Sequence, residues 1–412
     1  MVSVVPFKAA RPAGEYVRDV ASVPYDVIDS QEARTIAGGN PKSFLHVIKS
    51  EIDLPEDIDP YDDAVYAKAR KNLRDFLAQG ILVQDSEPCY YIYKETMGDH
   101  EQYGIVACIS VADYEAGRVK KHELTREDKE TDRTNHMDII DAQPGPILMT
   151  YKARSDIDAL VSDVTRQEPE YDFVADDGIA HTVWVIADRA MVQKMEHALS
   201  AIEAIYVADG HHRTVSSARV AERRRKRNPE HRGDEEYNYM LSVLFPDNQV
   251  KILDYNRAVT DLNGMSEEEF IEKLSRQFTV TKGFTERSPR TFHSFGMYLG
   301  GQWYLLEAKE GTFDAGDIVD SLDVSILQKN LLAGVLDIGD IRTDSRITFI
   351  GGIRGMDELE RLVDSGDYAV AFSLVPTTMR QLMDVADAGR IMPPKSTWFE
   401  PKLRSGIFVH LF

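Results

Sequence analysis

Apolar and polar positions alternate at two different periods along the chain, and the period changes often. "YDDAVYAKARKNLRDFLAQG" places Val65, Ala69, Leu73, Phe76 and Leu77 at helical spacing and stops at Gly80. "PCYYIYKET" and "EQYGIVACISVADY" are apolar runs of strand length joined by "MGDH", which predicts an antiparallel hairpin. "SFGMYLGGQWYLLEAK" predicts a second hairpin turning on Gly300 and Gly301. Helices are expected from Ser30, read as an N-cap, and over "SEEEFIEKLSRQF", where Ser266 and Glu269 form a capping-box pattern. "DIVDSLDVSILQKNLLAGVL" reads as one continuous helix, and "AIYVAD" as a buried strand running into the helix "HHRTVSSARVAERRRKR". Strands and helices intermix with many hairpins, so the class is α/β with mixed sheets rather than one doubly wound sheet.

The chain has 412 residues, enough for more than one domain. We expect an N-terminal α/β part at 1–95, a central domain at 96–260 and a C-terminal α/β domain at 261–412. No repeat, low-complexity tract or long linker interrupts them. Acidic residues exceed basic ones, 69 against 48, and the net charge of −21 repels a polyphosphate backbone. That argues against nucleic acid as a partner but leaves room for a small anion in a locally positive pocket. Cys89 and Cys108 sit in apolar runs without a CxxC pair, which predicts two buried thiols in a reducing cytoplasm. No signal-peptide pattern and no apolar run of spanning length is seen, so a cytoplasmic protein without membrane partners is expected.

The densest chemistry lies at "VADGHHR". Gly210 permits a sharp turn between strand and helix, and the first-turn amides of the helix have no intrahelical acceptor. This is an anion site for which phosphate is the usual occupant. Arg213 adds a guanidinium fork, and His211 and His212 add imidazole donors. Asp209 is out of place in an anion site unless it holds a phosphate-bound Mg²⁺ or orients an imidazole; capping the helix is its plainer role.

"HELTREDKETDR" is not a zincin motif, because Arg126 stands where a second histidine is required. Within it, Glu123 is a carboxylate suited to accept a hydroxyl proton; the alternative is an exposed, charged helix face. "VPYDVI" sets Tyr25 and Asp26 on a turn, either as turn chemistry or as a pocket wall meeting a substrate amine. "MPPKSTWFEPKL" places Lys395, Ser396, Thr397 and Lys402 between prolines. Pro394 stands where a Walker A glycine belongs, so this is not a P-loop, although the lysine and hydroxyls suit phosphates. "IGGIRG" lacks dinucleotide-binding spacing and reads as a turn. "RRRKR" reads as a solvated helix end.

"VADGHHR" resembles the signature of the ParB/sulfiredoxin-like superfamily, whose free serine kinases carry a closely similar Asp-Gly-His-His-Arg. With "VPYDVID", "HELT" followed by "DR", "LDVSILQ" and "MPPKSTWFEPKL", the whole chain is similar to one uncharacterised bacterial family of that superfamily, domain-of-unknown-function family one thousand and fifteen. The resemblance implies a ParB/sulfiredoxin-like core with added N- and C-terminal α/β parts. It implies binding of ATP or ADP with Mg²⁺ and, further, phosphoryl transfer to a small hydroxylated metabolite such as serine. Asp209, His211 and Glu123 would be catalytic, with Asp209 on the metal. Gly210, His211, His212, Arg213, Lys395, Ser396 and Thr397 would hold the nucleotide, and Tyr25 and Asp26 the substrate. A non-catalytic, nucleotide-binding regulator is the other reading, and a homodimer is compatible with either. Asn256 and Arg257 stand where this family is expected to carry a histidine before the arginine.

Overall fold

The computed structural model describes residues 1–412, and they fall into two compact units. Unit 1 comprises 1–121, 125–250 and 401–412; unit 2 comprises 122–124 and 251–400. The class is α/β, built on mixed and antiparallel sheets.

Unit 1 is centred on a nine-stranded sheet. Its order is Val119–Lys120, Ile205–Asp209, Ile147–Tyr151, Tyr239–Pro246, His100–Ser110, Tyr90–Met97, Ala180–Ile186 and Tyr171–Val174, with Val4–Val5 also pairing to His100–Ser110. Two pairings are parallel, Ile205–Asp209 with Val119–Lys120 and Tyr239–Pro246 with Ile147–Tyr151; the others are antiparallel. The expected hairpin is present, Tyr90–Met97 against His100–Ser110. Its strands are buried on both faces, which is why they read as continuous apolar runs rather than alternating ones. Gly104 is needed there, since a Cβ would lie 2.3 Å from the Val243 side chain. Cys89 and Cys108 are buried free thiols, as expected.

A second, four-stranded antiparallel sheet joins Leu82–Gln84, Ala9–Pro12, Val409–Leu411 and Ala142–Gln143. Its third strand comes from the end of the chain, where Ile407, Phe408 and Val409 are wholly buried. The helices Glu127–Ile140 and His211–Arg227 pack together. Ser216 Oγ donates to the Glu130 carbonyl (3.0 Å), and Arg224 reaches Asp138 (3.0 Å) and Asp141 (2.8 Å). The basic end of the second helix is thus paired to acids rather than forming a cationic patch.

Unit 2 contains a six-stranded, fully antiparallel sheet ordered Phe278–Lys282, Gln302–Ala308, Ser294–Leu299, Val370–Leu374, Tyr255–Val259 and Ile347–Gly351. The Gly300–Gly301 hairpin is as expected, both glycines having positive φ. One sheet face carries Ala258, Tyr298, Ile350 and Ala371 against Leu359 of the helix Met356–Asp364. Two expectations change. The helix at residue 30 is capped by Asp29, whose carboxylate and Glu32 form a reciprocal capping box, so Ser30 is its first residue. The helix containing "LDVSILQ" is short, Asp323–Leu327, and widens into a π-helical segment, Gln328–Ala333.

Candidate functional site

The strand Ile205–Asp209 pairs with Ile147–Tyr151, but its register slips between Val207 and Asp209. Such a bulge turns a strand's last residue out of the ladder's alternation. Asp209 is that residue, and its side chain keeps 32% exposure. Gly210 follows at φ 98°, ψ 32°, a left-handed conformation, and helix His211–Arg227 starts directly behind it. No side chain caps that helix. Asp209 is therefore not the cap, and its position requires another reason.

Its partners supply one. Lys402 Nζ lies 3.4 Å and Arg213 Nη2 3.8 Å from Asp209 Oδ2. Burial opposes the charge on Asp209, yet Lys402, Arg213 and His211 hold the carboxylate well below its usual range. The acid therefore gathers cations at the helix opening. Lys402, noted only as part of the prolyl tail, is a site residue that sequence reasoning left out. Its contact bridges 193 residues, which no local pattern reveals.

Arg213 is placed differently from the phosphate fork expected of it. It is 6% exposed, its Nη1 donates to the Pro146 carbonyl, and its guanidinium packs against Gly210, 3.0–3.1 Å from where a Cβ would stand. Its Nε is buried without a partner. His211 is buried as well. His212 is half-buried, and its Nε2 accepts the Arg126 backbone N–H at 3.1 Å. That bond fixes Nε2 as an acceptor and draws the segment at 125–126 to the helix opening.

Tyr25 joins the same unit-1 neighbourhood. The Arg133 guanidinium stacks 4.2 Å from its ring centroid. Burial raises the Tyr25 phenol far above its usual value, while Arg133 and Arg213 act in the opposite direction. Arg133 is held by Asp132 (2.7 Å), which also accepts from Tyr66 Oη (2.9 Å). The charged run at 120–133 is thus only partly a solvated face, because Glu130, Asp132 and Arg133 turn inward to these partners. Asp26 is exposed on the turn.

Glu123, Lys395, Ser396 and Thr397 belong to unit 2. Glu123 lines a cleft of about 360 Å³ with Leu124, Gln328, Met392, Pro393 and Pro394. Ser396 Oγ donates to the Pro393 carbonyl (2.6 Å), closing its own loop, and Thr397 Oγ1 lies 3.4 Å from His122 Nε2. Lys395 is exposed, with φ 59°.

A model of the DUF1015 family, described as a protein of unknown function, matches residues 4–325. The chain is a member of DUF1015. Among curated proteins none matches this DUF1015 chain. Three solved structures resemble it. A free serine kinase in complex with AMP has 13% identity and a TM-score of 0.37, over 71% of this chain and 86% of that one. A conserved hypothetical protein from Pyrococcus furiosus has 14% identity and a TM-score of 0.38, over 74% and 97%. SbnI with a C-terminal truncation, from Staphylococcus aureus, has 12% identity and a TM-score of 0.37, over 72% and 82%. No helix of this DUF1015 member is long and apolar enough to cross a membrane.

Proposed function

We propose that this DUF1015 member binds a nucleotide by its phosphates at the opening of helix His211–Arg227 and passes a phosphoryl group to a small hydroxylated metabolite, of which free serine is one candidate. The observation that carries the reading is the uncapped helix opening behind Gly210, with Lys402 held beside it by Asp209. An uncapped helix start attracts anions, and a half-buried lysine adds a full charge. ATP or ADP fits such a donor set. Arg213 acts from below, holding Asp209 and bracing Gly210, while Lys402 and the first-turn amides meet the phosphates. His211 and His212 flank them.

In the transfer, the acceptor hydroxyl oxygen bonds to the terminal phosphorus as the bond to the leaving nucleotide breaks, releasing ADP from ATP or AMP from ADP. Glu123 is the proposed acceptor of the hydroxyl proton, and Tyr25 and Asp26 the proposed substrate contacts. Positioning and charge compensation would lower most of the barrier. Magnesium fits less well. One carboxylate, Asp209, already faces two cations, whereas Mg²⁺ takes carboxylates together with phosphate oxygens. That same pairing favours the second reading, nucleotide binding without catalysis.

Calorimetry with ATP and ADP, on the wild type and Lys402→Met, tests the site. Binding is expected in the wild type and about tenfold or more weaker in the variant; equal affinities refute the assignment. Incubation with ATP, Mg²⁺ and a panel of hydroxylated amino acids separates the readings. Phosphorylated product supports the kinase, and tight binding without turnover supports the regulator.

A further inference from the structure

A second locus of positive charge lies in unit 2, around Arg257 and Lys395. Arg257 is central in strand Tyr255–Val259, between Ile347–Gly351 and Val370–Leu374, and is only 2% exposed. Side chains alternate along a strand. Ala258 faces the helix Met356–Asp364, so Tyr255 and Arg257 occupy the opposite face, with Phe349 as the cross-strand neighbour of Arg257. The loop at 393–397 covers that face.

The guanidinium has backbone and aromatic neighbours but no acid. Its Nη1 donates to the Tyr255 carbonyl and its Nη2 to the Lys395 carbonyl at 2.9 Å. Its Cζ lies 5.4 Å from the Phe349 ring centroid and 6.0 Å from that of Tyr255. Asp254, the acid nearest in sequence, is turned aside to accept from Asn256 Nδ2 at 2.5 Å. Burial pulls the guanidinium down to about 10, with only the Tyr255 hydroxyl acting against it. Buried charges are normally paired with an opposite charge, and this guanidinium meets only carbonyls and ring faces.

A second cation stands over the same ring. Lys395 Nζ is 5.8 Å from the Tyr255 ring centroid, and the Lys395 backbone is in the left-handed region. The loop holding it is fastened at both sides, by Ser396 Oγ to the Pro393 carbonyl and by Thr377 Oγ1 to the Ser396 carbonyl at 2.9 Å. Two cations thus converge on one aromatic-lined wall of an acidic protein, with the inner one lacking a carboxylate. A planar guanidinium pairs with phosphate and carboxylate alike.

We infer that Arg257 and Lys395 form an anion-binding site within unit 2, taking a phosphate or carboxylate group of a small ligand as the missing counter-charge of Arg257. Its residues all belong to unit 2, and its test does not depend on the assignment at Asp209 and Lys402.

The test is thermal denaturation of the full chain in increasing inorganic phosphate, pyrophosphate or malonate, each against sodium chloride at equal ionic strength. Saturable stabilisation beyond chloride is expected, by the phosphates if the ligand group is phosphoryl and by malonate if it is carboxylate. Half-saturation should move at least tenfold higher in Lys395→Met and be lost in Arg257→Gln. Lys395 is exposed, so its variant carries the test even where Arg257→Gln fails to fold. In a Lys402→Met background, where the helix-opening contribution is removed, the shift caused by Lys395→Met should persist. The inference is overturned if no anion exceeds chloride, if the Lys395→Met response matches wild type, or if the response disappears in Lys402→Met instead.

Discussion

Gly210→Ala tests the geometry of the helix opening most directly. Gly210 sits at φ 98°, where a residue with a Cβ loses about 1–2 kcal/mol. The added methyl would also lie 3.0 Å from Arg213 Nε and 3.1 Å from its Cζ and Nη2. These atoms belong to a buried group anchored on the Pro146 carbonyl and Asp209, so they are not free to swing aside. Moving them weakens a charge-assisted hydrogen bond worth about 1.5–3 kcal/mol. The combined loss is about 3 kcal/mol, and nucleotide affinity should fall with it.

Two companion variants separate the terms. Gly210→Asn keeps the crowding but tolerates the left-handed backbone better, so it should lose less than the alanine variant. In an Arg213→Met background the steric term should shrink, giving clear non-additivity between the neighbouring sites. Because the chain has two units, the readout is hydrogen exchange over residues 205–220 rather than one global melt. Wild-type protection in Gly210→Ala, or the same loss with and without Arg213, would falsify the account.

Further outcomes are expected. Glu123→Gln should retain nucleotide binding by calorimetry and lose phosphoryl transfer; unchanged turnover removes Glu123 from the mechanism. Acid should move the two units oppositely. In unit 2, burial raises Asp323 from 3.8 to about 7, and its Oδ2 has no partner, so its contribution is full below pH 4 and is lost as pH rises through 7. In unit 1, burial, aided by Arg133, lowers His136 from 6.5 to about 4, so its contribution is present above pH 6.5 and is lost as pH falls toward 4. Between pH 7 and 5 each amounts to about 2 kcal/mol, of opposite sign. Asp323→Asn and His136→Gln should each flatten the pH dependence of hydrogen exchange in their own unit, and an unaltered slope counts against the assigned group.

Features set by near neighbours were legible in the sequence. Both hairpins are marked by turn residues between apolar runs, and the helix after Gly210 is announced by a glycine behind a buried strand. The cap at Asp29 was equally open to view, since Asp29 and Glu32 stand three apart; Ser30 simply offered a competing hydroxyl. What periodicity misses is long-range pairing. Nothing local distinguishes Asp132, buried against Tyr66, from an ordinary solvated aspartate. The π-helical widening after Leu327 leaves an apolar pattern indistinguishable from a straight helix. The motif at Asp209–Arg213 was visible as a cluster, but the inward turn of Arg213 depends on the Pro146 carbonyl, 67 residues earlier.

The return of residues 401–412 to unit 1 orders events in time as well as in space. A ribosome making this chain from its amino end must extrude all of 251–400 before Lys402 and the strand Val409–Leu411 emerge. Until then Asp209 lacks Lys402 and keeps only Arg213 and His211 beside it, and the small sheet lacks its third member. The anion affinity proposed at Gly210 should therefore arise only once residues 401–412 dock.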